Sequence, residues 1–116
     1  MRSTHNFRSK IINACLFRKD SRLSGFELSG HADSGEYGQD IVCAAVSVLS
    51  INTINSLEKL AGVVLEKELD DLNGGFMKVS VDDSDLDDPK VQLLLESLEL
   101  GLRDIEISYH EYIHVK

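Results

Sequence analysis

From residue 41 to residue 60 the chain repeats apolar side chains at helical spacing: Ile41, Ala45, Val48, Leu49, Ile51, Ile54, Leu57 and Leu60. The run is apolar over more than one face. Such a helix either sits centrally in its fold or shares a face with another subunit. Asp40 reads as its N-cap and Gly62 as its stop, so the helix is expected to begin at Ile41. A chain of 116 residues forms one domain with one modest core. The rest of that domain must be built to cover this helix.

The flanking segments read as hairpins. Residues 10–17 (KIINACLF) form an apolar run of strand length, residues 18–22 a polar turn, and residues 23–29 a second strand with Phe26 and Leu28 on one face. Residues 63–70 and 75–81 flank Leu72-Asn73-Gly74-Gly75, where Asn-Gly is a strong hairpin signal. After an acidic loop (DDSDLDD, residues 82–88), Asp88-Pro89 supplies an N-cap and a proline at the first helical position. Val91, Leu94, Leu95, Leu98, Leu102, Ile105 and Tyr109 continue at helical spacing, and residues 112–115 can close as a short strand. The order is β-β-α-β-β-α(-β). Hairpins interrupted by single helices imply an α+β fold, an antiparallel or mixed sheet of four to five strands with two helices on one face. Residues 1–9 read as a variable N-terminal tail and residues 10–116 as a single domain.

Composition excludes several functions. A net charge of −8 argues against direct nucleic-acid binding, which needs clustered Lys and Arg; it permits a basic partner, while on charge alone solubility is the better reading. No stretch is read as approaching the ~18 apolar residues of a membrane span, so no membrane is expected. Residues 1–10 are polar and basic, without the apolar core of a secretory leader. Cys15 and Cys43 are therefore expected as free thiols in a cytoplasmic protein. Cys15 alternates with Ile11 and Phe17 on a strand and reads as packing. His110 and His114 have metal-ligand spacing but no third ligand nearby, and the acidic loop lacks the Gly and terminal Glu of a calcium loop. No metal and no cofactor is expected.

One stretch carries chemistry. Gly30-His31-Ala32 precedes a loop with Gly35 and Gly38, and then comes Asp40-Ile41-Val42-Cys43-Ala44-Ala45, with Ser47 beyond. A thiol and an imidazole joined by a flexible loop are the minimum parts of a cysteine nucleophile and its base. With Asp40 as N-cap, Cys43 falls at the third helical position. Unpaired N–H groups and the positive end of the dipole there favour a thiolate and can hold an oxyanion. Against this, free cysteines are among the most buried residues and often only pack. Asp40 either caps the helix or orients His31 as the third member of a triad.

These residues resemble the signature of the ribosomal-processing cysteine protease family, Prp, and the likeness extends over nearly the whole chain from about residue 10, including the Asn73-Gly74-Gly75 turn. The resemblance implies a cysteine endopeptidase with Cys43 as nucleophile and His31 as base. Gly30, Asp40 and Ser47 match supporting positions, and Gly35 and Gly38 belong to a substrate loop. It also implies a homodimer. The partner it implies is the N-terminal extension peptide of large-subunit ribosomal protein twenty-seven, cut after an aromatic residue. Two rivals are a non-catalytic ribosome-associated peptide-binding module and a thiol redox protein, which would need Cys15 as a resolving thiol.

Overall fold

The computed structural model describes residues 11–31, 37–72 and 74–116, with the side chain of Tyr37 left out. Two antiparallel strands come first, β1 (Ile12–Lys19) and β2 (Arg22–Ser29). Asp20 and Ser21 between them both take positive φ, 53° and 71°, the primed-turn geometry that matches strand twist. Then come helix α1 (Tyr37–Lys59), strands β3 (Leu65–Asp70) and β4 (Phe76–Val81), helix α2 (Pro89–Ser108) and strand β5 (Ile113–Val115). The order β-β-α-β-β-α-β agrees with the expectation.

The five strands form one mixed sheet in the order β3-β4-β2-β1-β5. All neighbours are antiparallel except β1 and β5, which run parallel. Alternation puts Ile12, Ala14 and Leu16 of β1, Met77, Val79 and Val81 of β4, and Ile113 and Val115 of β5 into the core. One cluster joins these to Val42, Val46 and Leu57 of α1 and to Val91, Leu95, Leu98 and Leu102 of α2. The register slips after Phe17, and close by Gly25 lies so near β4 that a Cβ there would sit 2.1 Å from the Val79 carbonyl oxygen. Only glycine lets these central strands approach so closely.

Helix α2 starts as its sequence dictates. The Asp88 carboxylate accepts from the Lys90 N–H at 2.9 Å, and Pro89 occupies the first turn, where its missing N–H costs nothing. Helix α1 starts earlier than expected. It begins at Tyr37, so Asp40 lies inside the first turn and is not the N-cap. The cause is a tertiary contact. A Cβ on Gly38 would meet the Tyr112 hydroxyl oxygen at 2.6 Å, so Gly38 packs flush against that ring instead of belonging to a loop. Glycine's poor helix propensity is overridden by packing. The helix ends at Lys59, after which Gly62, at φ 70°, turns the chain and Val63 N–H donates to Leu57 C=O at 3.2 Å.

Two further expectations are corrected. Residues 38–59 (22 residues, with a mean hydropathy of 1.5 over the most apolar window) are long and apolar enough to cross a membrane by length and composition. In this fold the helix lies against the sheet, with Val42, Val46 and Leu57 in the core. Cys15 points away from that core. It sits opposite Glu27 on the sheet face that the helices leave open, half-buried, while Ile12, Ala14 and Leu16 point inward. Neither cysteine is in a disulfide, and the redox reading, which needs the two cysteines together, has no geometry to stand on.

Candidate active site

The site forms where β2 ends against the first half of α1. Gly30 takes φ 84°, and a Cβ there would lie 2.9 Å from the Ile11 carbonyl oxygen, so a side chain is excluded both by backbone conformation and by space. Its N–H donates to Gly75 C=O at 3.1 Å, which ties this strand end to the β3–β4 hairpin. That hairpin's Asn73, like Ala32 and Gly35, lies outside the described residues. His31 follows Gly30 directly and is buried, at 5 % exposure.

Helix α1 presents Gln39, Cys43 and Ser47 at intervals of four, one above the other on a single face. Each reaches this strand end or its neighbour. The Cys43 thiol lies 3.8 Å from the Gly30 carbonyl oxygen, which accepts from it. The Ser47 hydroxyl donates to the His31 carbonyl at 3.3 Å. The Gln39 side-chain amide donates to Cys43 Sγ at 3.5 Å. Helix and strand end are thus fastened at both the cysteine and the histidine. Cys43 is buried at 7 % exposure and Gln39 at 2 %.

Because α1 begins at Tyr37, Cys43 is not at the third helical position. Its N–H falls within the i→i−4 ladder and is not one of the orphan donors of the first turn. The first-turn N–H groups therefore do not stand beside Cys43. Asp40 is exposed, with its carboxylate at the helix end where the dipole favours negative charge.

The His31 ring is shaped electrically by what surrounds it. Burial pushes its pKa below the ordinary 6.5, partly offset by the Asp71 carboxylate, which favours the charged form. Its Nδ1 is buried without a hydrogen-bond partner among the described residues. A neutral imidazole is the form that can accept a proton from a thiol. Beside the ring opens a pocket of about 280 Å³ lined by His31, Ser47, Ile51, Leu69, Asp71, Phe76 and Met77.

The sequence brought Gly30, His31, Cys43 and Ser47 to attention, and the fold brings them together. It did not single out Gln39, Asp71 or the pocket-lining Phe76 and Met77. Gln39 had a signal, its spacing of four from Cys43. The others come from the second hairpin and are joined to the site only by sheet pairing.

The family model described as Cysteine protease Prp matches residues 11–114. A curated relative, the ribosomal processing cysteine protease Prp of Bacillus subtilis (strain 168), is 33% identical over 109 residues, covering 90% of this chain and 96% of its own. The crystal structure of SMU.848 from Streptococcus mutans superposes with a TM-score of 0.89 at 43% identity, over 94% of this chain and 95% of that one. The essential ribosomal processing protease Prp from S. aureus, crystallised with a substrate peptide, gives a TM-score of 0.80 at 30% identity, over 91% of this chain and 98% of that one.

Proposed function

The chain is a cysteine protease that belongs to the Prp family, and on that premise we propose that it removes the N-terminal extension of large-subunit ribosomal protein twenty-seven, cutting after an aromatic residue. Cys43 is the nucleophile and His31 the acid/base. The observation that carries this is the double fastening of α1 to the end of β2, Cys43 to the Gly30 carbonyl and Ser47 to the His31 carbonyl. Two side chains of α1 thereby hold the backbone carbonyls of Gly30 and His31, and this supports the preorganisation that proton transfer and attack require.

The steps follow from the residues. Neutral His31 takes the Cys43 proton. The thiolate attacks the scissile carbonyl, and the imidazolium returns its proton to the leaving amine. Water, activated by His31, then releases the acyl group from sulfur. Gly30 sets the close strand end, Ser47 holds the His31 carbonyl, and Asp40 places negative charge at the helix start. The pocket beside His31, with Ile51, Leu69, Phe76 and Met77 in its wall, supports an apolar or aromatic side chain next to the cut. The substrate peptide crystallised with the S. aureus relative supports peptide binding by this fold.

We extend the reading to a homodimer acting in the cytoplasm. Ile41, Val48 and Ile51 of α1 are exposed. An apolar groove between the helices is lined by Ala44, Ala45, Val48, Leu49, Asn52, Gly101 and Ile105. Surface of this kind supports a second subunit. Two cysteines without a disulfide suit a reducing compartment.

The test is incubation with a peptide spanning the extension junction of the host's ribosomal protein, with products read by mass spectrometry and Cys43→Ala alongside. A single cut after the aromatic residue, absent in the variant, is expected. An intact peptide with wild-type protein, or a cut that survives Cys43→Ala, overturns the reading.

A further inference from the structure

An acyl-transfer site needs donors aimed at the place where negative charge develops. The early start of α1 takes the first-turn backbone N–H groups away from Cys43. A side-chain donor stands on the sulfur instead. Gln39 Nε2 is 3.5 Å from Cys43 Sγ, one helical turn before it. The amide is almost wholly enclosed, and its backbone is held by the neighbouring Gly38, pressed against the Tyr112 ring.

A neutral thiol is a weak acceptor and repays little of the cost of burying an amide. An anionic sulfur or oxygen repays it well, because a hydrogen bond to a charged group is about twice as strong as a neutral one. The placement therefore suits the charged states of the reaction better than the resting thiol.

We infer that Gln39 is a further catalytic residue of this site, its side-chain N–H groups donating to the Cys43 sulfur as thiolate and then to the oxyanion of the tetrahedral intermediate. The inference rests on the reading of Cys43 as nucleophile. In the step concerned, a lone pair on Sγ forms the S–C bond and the carbonyl π pair moves onto oxygen. That oxyanion accepts from Gln39 Nε2, which carries two N–H groups. When the pair returns, the C–N bond breaks and the amine leaves with the proton held by His31. Nothing is oxidised or reduced.

The test uses the full chain with Gln39→Met, which keeps length and bulk but cannot donate, and Gln39→Glu, which keeps shape but replaces the donor with an acceptor. Both are checked for native melting, and the second variant serves if the first does not fold. Cleavage of the junction peptide is expected to lose about 100-fold in kcat for Gln39→Met, with KM little changed. Alkylation of Cys43 by iodoacetamide, read on its own tryptic peptide so that Cys15 does not interfere, is expected to shift its pH midpoint upward by about one unit. Gln39→Glu is expected to shift it further, because a carboxylate opposes the thiolate. A folded Gln39→Met enzyme within about threefold of wild-type kcat (far less than one lost oxyanion donor costs), with an unmoved midpoint, overturns the inference and leaves Gln39 as packing. If wild-type protein does not cut the peptide, the proposed function fails first, and the alkylation midpoint alone decides: a rise upholds the contact with the thiolate, and no change overturns it.

Discussion

The two helices lie against the same sheet and obey different rules. Helix α2 has a capped start and buries Val91, Leu95, Leu98 and Leu102 at regular spacing. Helix α1 has a glycine near its start, buries Gln39, Ser50 and Thr53, and leaves Ile41, Val48 and Ile51 in the open. Its Ser50 Oγ, like His31 Nδ1 at the strand end, is buried without a hydrogen-bond partner among the described residues. Departures from local consistency collect where a protein does chemistry or meets partners, and α1 carries the cysteine. Helix α2 leaves Leu93, Leu100 and Ile107 exposed as well, yet it buries no polar side chain among the described residues, and the single stripe it buries answers to the core. Helix α1 answers to the core on one side, to the strand end bearing His31 on another, and to the open side as well.

The comparison is broken or sharpened by treating the two helices as separable, one coupled to turnover and the other to stability. On the α1 side, His31→Gln is expected to lower kcat/KM about 1,000-fold while the unfolding midpoint moves little, measured with the junction peptide and by thermal melting. An unchanged rate would remove His31 from the chemistry. On the α2 side, Leu98 is fully buried, and Leu98→Ala is expected to cost about 3 kcal/mol in urea unfolding. At a temperature where the variant is folded, its kcat should stay within about twofold of wild type, since Leu98 lies in the common core and not at the site. A loss of kcat as large as that of His31→Gln would show that the helices are not separable. Asp88→Ala, which removes only the cap of α2, is expected to cost about 1 kcal/mol with no effect on kcat.

These differences also explain what could be read from the sequence. Helix α2 was legible to its first residue because Asp88, Pro89 and the apolar spacing are all local signals. The hairpins were legible for the same reason, from turn residues between alternating runs. The start of α1 was not, because what decides it is Tyr112, 74 positions beyond Gly38 in the chain and brought to it only by the pairing of β5 with β1. The error passed into the site. Asp40 as cap and Cys43 in the first turn were consistent with each other, and both depended on where the helix began. Gly30, His31, Cys43 and Ser47 come together all the same, because their spacing on strand end and helix face does not depend on that boundary. Asp71 and the pocket lay beyond reach, since only the β2–β4 pairing carries the second hairpin to His31.

The smallest expected effect tests whether the site side of the molecule is tuned at some cost to stability. Burial lowers the pKa of His31 from 6.5, so the folded state holds this ring neutral at pH values where the unfolded chain has begun to protonate it. Between the lowered value and 6.5 the unfolded state therefore binds more protons, and stability rises with pH. The contribution is fully present above 6.5 and is lost as pH falls through the folded value. Glu99 and Asp82, whose pKa values are also lowered, by Arg18 and by Ser84 respectively, act only below the ordinary carboxylate values of 4.5 and 3.8, so a loss of stability just below 6.5 is not theirs. Urea unfolding followed from pH 7.5 downward should show stability falling just below 6.5 in wild type. His31→Gln, with no titrating ring, should flatten the curve in that window and leave the acid limb unchanged. If the variant keeps the wild-type slope there, the buried ring is not the group that titrates. His31 would then have to sit in water for part of the time, and the neutral form in which it is proposed to act as base would owe nothing to its burial.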